Sequence, residues 1–392
     1  MKIRAFEKND SCTWCFLAKT ILLCGFIFSS CVGCSIKASP LKPTLQKELS
    51  PAEEFTLTEQ AKSPVCTQED TQALFSVKPL VTNSPILIAF FSEQHGDRKI
   101  YLINSDGSGQ RPLTKYIGDV LETNFFWSPD GQKILFTAWY AVSDVGGLYI
   151  YNLGTDHTCR VATEIGARGV SWSSDSAHIL YDKFDDQINK PLVYSMLPDG
   201  SDKKIWLNGE YEWGVSSVAW SPDGTNMAFV IKRDKLVSLY TANADGTNQR
   251  KLAPNSFYYA WSPDNQHIVF LQEQTLFVID VDGSNKKVLT EAFVTTHPQW
   301  SPDGKTILFE SWRDGNLEIY RIDSTGENPI RLTNYPGVDK EPIWSPDSKK
   351  IVFASNKSGS YQLYTMNADG TGQTRLTNNK SYDETPIWQP SR

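Results

Sequence analysis

A chain of 392 residues with 40% apolar and 12% aromatic side chains is long enough for two ordinary domains or one large β architecture, and its composition is that of a folded protein. The formal charge is −7, and it reaches −9 once the four basic and two acidic side chains of the first 34 residues are set aside. An acidic chain without a basic stripe is a poor partner for phosphate backbones, so nucleic-acid binding is excluded.

The first 20 residues carry Lys2, Arg4, Lys8 and Lys19, and the run ILLCGFIFSSCVGC follows, apolar from Ile21 to Gly33 and ending at Cys34. A charged head with an apolar core this short describes an export signal, since a membrane-spanning helix needs roughly 20 apolar residues. The small residues before Cys34 resemble a bacterial lipobox. That resemblance implies a signal over residues 1–34, with lipid attached to Cys34; Cys31, at the end of FSSC, is a rival site, and plain cleavage or retention of the segment are further alternatives. Four of the seven cysteines (Cys12, Cys15, Cys24 and Cys31) leave with such a signal. If Cys34 carries lipid, Cys66 and Cys159 remain, either as a disulfide tying the linker to the fold or as two thiols.

Residues 35–83 are rich in Pro, Ser, Thr, Lys and Glu and lack apolar periodicity. Such a segment cannot bury enough surface to offset its ordering entropy, so a flexible linker is expected there.

From residue 84 onward the chain repeats. WSPDG begins at Trp127, Trp220 and Trp300, WSPDN at Trp261 and WSPDS at Trp344, with related turns after Trp172 and Trp388. The seven tryptophans are 45, 48, 41, 39, 44 and 44 residues apart, a period that fits one four-stranded propeller blade. Around Trp344 the unit reads as strand EPIW, turn, strand KKIVFAS, strand YQLYTMN, turn ADGTG and strand QTRLT. No stretch shows a sustained helical period. In the turn, Pro sets φ, Asp bonds nearby backbone and Gly tolerates positive φ. Each Trp closes the first strand, where its indole packs between blades, so all seven are read as structural. Residues after 382 supply one strand, with Trp388, and residues 86–114 supply the other three. An all-β, seven-bladed propeller over residues 84–392, closed by its C-terminal strand, is therefore expected.

The sequence WSPDG, then KILF, IYRID or LYTMN, ADGT and RLT resembles the TolB-like (WD40-like, PD40) repeat family, over about residues 84–390. The resemblance is specific for fold and weak for function. TolB itself looks like six blades behind an α/β domain. Seven units behind a linker depart from that pattern, so a Tol–Pal role does not carry over.

Site motifs are few. There is no G-x-S-x-G elbow, P-loop or H-E-x-x-H pair, and no catalytic residue, metal or cofactor is assigned. DVDGSN at Asp280 and NADGTN at Asn243 imitate the start of a calcium loop but lack its later ligands, so both are read as hairpin turns. The loops leading into each first strand hold Asp119, Glu122, Glu164, Arg168, Glu210, Glu212, Glu291, His297, Asp339, Lys340, Glu341, Asp383 and Glu384. On a propeller these loops gather around the channel mouth. Arg168, His297, Asp339, Glu341, Asp383 and Glu384 are thus the candidate binding residues. Tyr258, Tyr259, Trp206, Trp213 and Trp312 are aromatics that either stack on a saccharide or pack between blades. The expected protein is an exported, membrane-anchored monomer that binds a protein or ligand partner at a bacterial envelope. The alternative is a lyase or hydrolase working on saccharide or peptide in the channel.

Overall fold

A computed structural model describes residues 85–390 apart from 95, 97, 114–119, 141–145, 164–169, 186–189, 208–212, 234–235, 292 and 296–297. The expected signal, the linker, Cys34 and Cys66 lie outside the described residues.

Seven four-stranded antiparallel sheets are present, and no helix occurs among the described residues. Blade 1 joins the two ends of the repeat region. Its inner strand is Asp383–Trp388, followed outward by Leu87–Ser92, Lys99–Asn104 and Arg111–Pro112. Blade 2 starts at Val120–Trp127, blade 3 at Val170–Trp172, blade 4 at Trp213–Trp220 and blade 5 at Ser256–Trp261. Blade 6 starts at Gln299–Trp300 and blade 7 at Asp339–Trp344. The pairing of Ile88 with Trp388 and of Ala89 with Ile387 closes the ring and covers the edge of Leu87–Ser92.

Antiparallel order sorts the connections onto two faces. Turns after the repeat tryptophans and the Asp-Gly hairpins lie on one, here the turn face. Hairpins between second and third strands, and the loops leading into inner strands, lie on the other, the loop face.

The WSPDG turn is held by its serine, which the sequence reading passed over. Ser128 Oγ donates to Asp130 at 2.5 Å and accepts the Lys133 N–H at 2.9 Å, while the Gln132 N–H donates to the same carboxylate at 3.0 Å. Ser345, Asp347, Lys349 and Lys350 repeat this arrangement. These bonds hold the Asp130 and Asp347 carboxyls below their ordinary value, although burial opposes the shift.

The fifth residue of the turn adopts a left-handed conformation, with φ of +66° at Gly131 and +60° at Ser348. Where it is polar it links two blades. Ser176, Asn265 and Ser348 accept the N–H of Asp130, Asp223 and Asp303 in the preceding blade at 2.9–3.1 Å. At Gly131 a Cβ would sit 2.7 Å from the Pro390 carbonyl, so glycine is needed where blade 1 meets blade 2.

Several of the repeat tryptophans carry a polar link between blades. The indole N–H groups of Trp127, Trp172, Trp261 and Trp388 donate to Ile387, Phe126, Ala219 and Ile343. Each acceptor is the residue just before the tryptophan of the previous blade. Burying an indole of 150–250 Å² contributes about 4–6 kcal/mol as an upper estimate.

Candidate functional site

Asp339 and Asp383 open the inner strands of blades 7 and 1, and both are buried, at 1% and 0% exposure. Strict alternation back from Trp344 would bury Lys340 instead. A bulge at Glu341, in the left-handed region with φ +56°, adds one residue and turns Asp339 inward. Thr385, with φ +54°, does the same for Asp383. Burial pushes both carboxyls above their ordinary value. For Asp383 this outweighs the hydroxyls of Ser92 and Thr377 and a hydrogen bond of 2.6 Å from Asn379.

Glu341 and Glu384 lie at the channel mouth, half-buried and already engaged. Lys340 Nζ is 3.2 Å from Glu341 and 2.8 Å from Glu384, and Arg98 is 3.1 Å from the other Glu384 oxygen. Burial pulls Lys340 down, but the two carboxylates outweigh it and hold the ammonium well above the ordinary lysine range. For Glu384, burial pushes up and the charges of Lys340 and Arg98 win, leaving it below its ordinary value. Two cations and two anions thus make a nearly neutral segment of rim. Arg168 and His297 lie outside the described residues, as do Asp119, Glu164, Glu210 and Glu212.

The carboxylates also join blades. The bulged Glu341 N–H donates to Glu310 of blade 6 at 2.6 Å, and the Thr385 N–H donates to Glu341 at 2.6 Å. A second repeated lock explains the RLT motif. Arg331 Nε donates to the Thr333 carbonyl at 2.7 Å, while its terminal nitrogen donates to Glu318 at 2.7 Å. Glu318 is fully buried and also accepts Asn316, Thr333 and the Tyr335 N–H. Arg375, Thr377 and Gln362 repeat the lock in blade 7.

Most of the large apolar side chains exposed on the loop face are aromatic. Phe257, Phe293, Trp312, Tyr335 and Tyr382 all lie there, between 36% and 60% exposed. Of the aromatics weighed as saccharide platforms, Tyr259 donates its hydroxyl to the Ala228 carbonyl at 2.6 Å, and Trp206 donates to Ala244 at 2.8 Å. Those two pack between blades. Trp312 is open, and Tyr258 lines a cavity of about 390 Å³. The side chain of Trp213 lies outside the described residues.

Cys159 is buried at 3% exposure among Leu135, Leu148, Trp172 and Met196. The Asp-Gly segments are hairpin turns: the Thr247 N–H and hydroxyl both bond Asp245, and those of Ser284 bond Asp282. Among the described residues, no three His, Cys, Asp or Glu side chains gather as they would around a metal ion.

A seven-bladed ring of four-stranded antiparallel sheets is a β-propeller. Residues 257–392 match the TolB beta propeller domain family, PD40. The uncharacterized protein Atu1656 of Agrobacterium fabrum is 26% identical over 179 residues, which cover 42% of this chain and 57% of that protein. The Tol-Pal system protein TolB of Francisella tularensis is 36% identical over 67 residues, 16% of this chain and 15% of that one. The chain thus spans little more than half of one relative and a small part of the other.

Among solved structures, TolB from Acinetobacter baumannii superposes with a TM-score of 0.52 at 18% identity, covering 78% of this chain and 67% of that one. Oligogalacturonate lyase in complex with manganese gives 0.58 at 19%, over 71% and 85%. A prolyl endopeptidase gives 0.59 at 14%, over 86% and 56%. At these identities the likeness is one of fold.

Proposed function

We propose that this chain is a binding or scaffolding module of the bacterial cell envelope, exported and lipid-anchored through Cys34, that holds a partner on its loop face. The observation that carries this reading is the contrast between the two faces. Both faces are tied blade to blade by polar bonds, and the loop face in addition exposes five large aromatics on a closed ring. Rigidity lowers the ordering cost of binding, and exposed aromatics are the side chains that anchor protein interfaces.

The strand Leu87–Ser92 runs from the turn face toward the loop face, and Gln389 bonds Leu87 at its start. A linker preceding residue 85 therefore joins the ring at the turn face. A Tol-Pal system protein among the relatives is in keeping with an envelope setting.

The test is crosslinking capture from detergent-solubilised envelope, with full-length protein as bait and Tyr335→Ala/Tyr382→Ala as the comparison. One dominant partner, lost with the double variant while its melting temperature is unchanged, is expected. No partner above background, or capture indifferent to the variant, would overturn the scaffold reading. Catalysis in the channel would instead require His297 and two carboxylates around one point. The two carboxyls raised by burial, Asp339 and Asp383, face into their blades.

A further inference from the structure

We infer that the loop face of blades 6 and 7 docks an extended segment of a partner protein in which carboxylates alternate with large apolar side chains. This rests on the scaffold reading and names the chemistry of the partner that the face would hold.

Charge on this sector is unbalanced, and part of the cause is a difference between two equivalent positions. In blade 6, Arg331 is offset by Asp314 and Glu318, at 3.2 and 2.7 Å. In blade 7 the same arginine is Arg375, but Gln362 stands in the place of Glu318. Its amide oxygen accepts the guanidinium at 3.0 Å and leaves the charge uncompensated. Arg313, Lys357 and Lys380 make no ion pair among the described residues. Arg313 lies 3.9 Å from the centre of the Tyr320 ring, and Lys357 lies 3.8 Å from that of Tyr364 and bonds Gln373 at 3.1 Å. Burial pulls the Lys357 ammonium below the usual lysine range, and the buried Asp339 opposes this without restoring it. The carboxylates at hand are already used, Asp314 by Arg331 and Glu341 by Lys340. One sector of a chain with net charge −7 thus presents cations that lack anions. Lys380 is exposed, and the other three are half-buried and act through the field at the surface.

Exposed aromatics are interleaved with these cations. Trp312 precedes Arg313, Tyr335 lies in the loop between the two blades, and Tyr382 follows Lys380 by two residues. Polar bonds join the segments that carry them. Asn316 donates to the Gly337 carbonyl at 2.9 Å, the Val338 N–H donates to Asn356 at 2.9 Å, and Gln362 donates to the Ser381 carbonyl at 2.7 Å. The blade 6 hairpin, the loop after it, the blade 7 hairpin and the loop into blade 1 are therefore one bonded surface. Rings fixed in this way bury a partner's apolar side chains at little ordering cost.

Both halves of the pattern are needed to choose the occupant. A bare polyanion meets the cations but leaves the rings in water. A purely apolar face covers the rings but strips water from charges it cannot pair, which is costly. A segment with acidic and apolar residues in alternation satisfies both, and its carboxylates are complementary to the sector's net positive charge.

The experiment is a fluorescence anisotropy titration of the full-length chain into a labelled nonapeptide that alternates glutamate with phenylalanine or leucine. One control peptide carries lysine for every glutamate, and another carries serine for every apolar residue. Saturable binding of the acidic–apolar peptide is expected, weakened about fivefold or more at high salt. Lys380→Glu and Trp312→Ala should each weaken it about five- to tenfold. Both side chains are exposed, so both variants should melt as the parent does. The serine peptide should bind about tenfold more weakly and the lysine peptide not at all. Absence of saturable binding at millimolar peptide would overturn the inference, as would binding unchanged in both variants or equal binding of either control. Self-association of the chain in sedimentation, lost in Trp312→Ala, would assign the face to a second copy instead. The titration needs no envelope partner. A failed titration beside a successful capture therefore tells against this inference alone, and a failed capture beside a sound titration tells against the scaffold reading.

Discussion

The carboxylate of Glu341 accepts the backbone N–H of Thr385 at 2.6 Å, and Thr385 stands in blade 1 where Glu341 stands in blade 7. Each residue bulges its inner strand and turns an N–H toward the preceding blade. In both cases a glutamate waits there, Glu310 for one and Glu341 for the other. Losing that carboxylate leaves a donor without its acceptor. Glu341→Ala is expected to lower stability by about 1.5–3 kcal/mol, the range for a hydrogen bond to a charged group. Glu341→Gln keeps an acceptor oxygen and should lose less than half of that. Urea titration of both variants distinguishes the cases, and equal losses would show that the contact is not what stabilises this boundary.

The tryptophans differ from one another in a way that packing alone does not explain. Trp388 donates to Ile343 at 3.2 Å, whereas the buried Trp300 indole nitrogen has no partner among the described residues. Phenylalanine keeps most of the packing and removes the donor. Trp388→Phe should therefore cost about 1 kcal/mol more than Trp300→Phe, measured by chemical denaturation. The reverse order would mean that these indole bonds contribute nothing net.

Ser345 is 4% exposed and serves both Asp347 and the Lys350 N–H. Ser345→Ala takes the acceptor from the Lys350 N–H, while the exposed Asp347 keeps the Lys349 N–H, so a loss of about 1–3 kcal/mol is expected. A change within the error of thermal melting would shift the weight of the turn onto its Pro and Asp.

Asp383 gives a pH test with a defined sign. Burial raises its folded-state pKa above the ordinary value, so the native state holds this proton more tightly than the unfolded chain does. The stability it contributes is fully present below the unfolded value, about 3.9, and is lost as pH rises through the higher folded value. Glu384, held low by Lys340, acts in the opposite sense. Its contribution is present above the ordinary glutamate value and is lost as pH falls through the lower folded one. Asp383→Asn fixes the neutral form. It should melt higher than the parent at pH 7, with the advantage vanishing near pH 3.5. A variant less stable than the parent at pH 7 would show that the protein depends on the charged form.

Much of the ring was legible because its period is carried by one large residue. Trp127 through Trp388 mark every inner strand, and the missing fourth strand of the N-terminal unit forecast the pairing of Ile88 with Trp388. The position of Asp339 was not legible, because a bulge at Glu341 shifts the alternation and nothing in the local sequence DKEPIW announces it. Ser128 and Arg331 were in plain view as repeated letters. Their importance depends on which buried groups they satisfy, a property of the folded chain. The cavity beside Phe257 draws on three separated stretches, residues 255–258, 271–274 and 294–295. No single stretch of sequence signals it.

The most direct test of a rigid, closed ring is to compare the full chain with one ending at residue 382. Removing the last inner strand takes away Trp388, the Thr385 link to Glu341, and the Gln389 contact with the Gly131 carbonyl at 2.7 Å. The edge of Leu87–Ser92 would then be open, and a fall in melting temperature of more than about 10 °C is expected. Amides of the newly exposed strand Leu87–Ser92 should also lose their protection from hydrogen exchange. A shortened chain that melts with the full one and keeps that protection would contradict closure by the C-terminal strand, and with it the rigid loop face on which the proposed function stands.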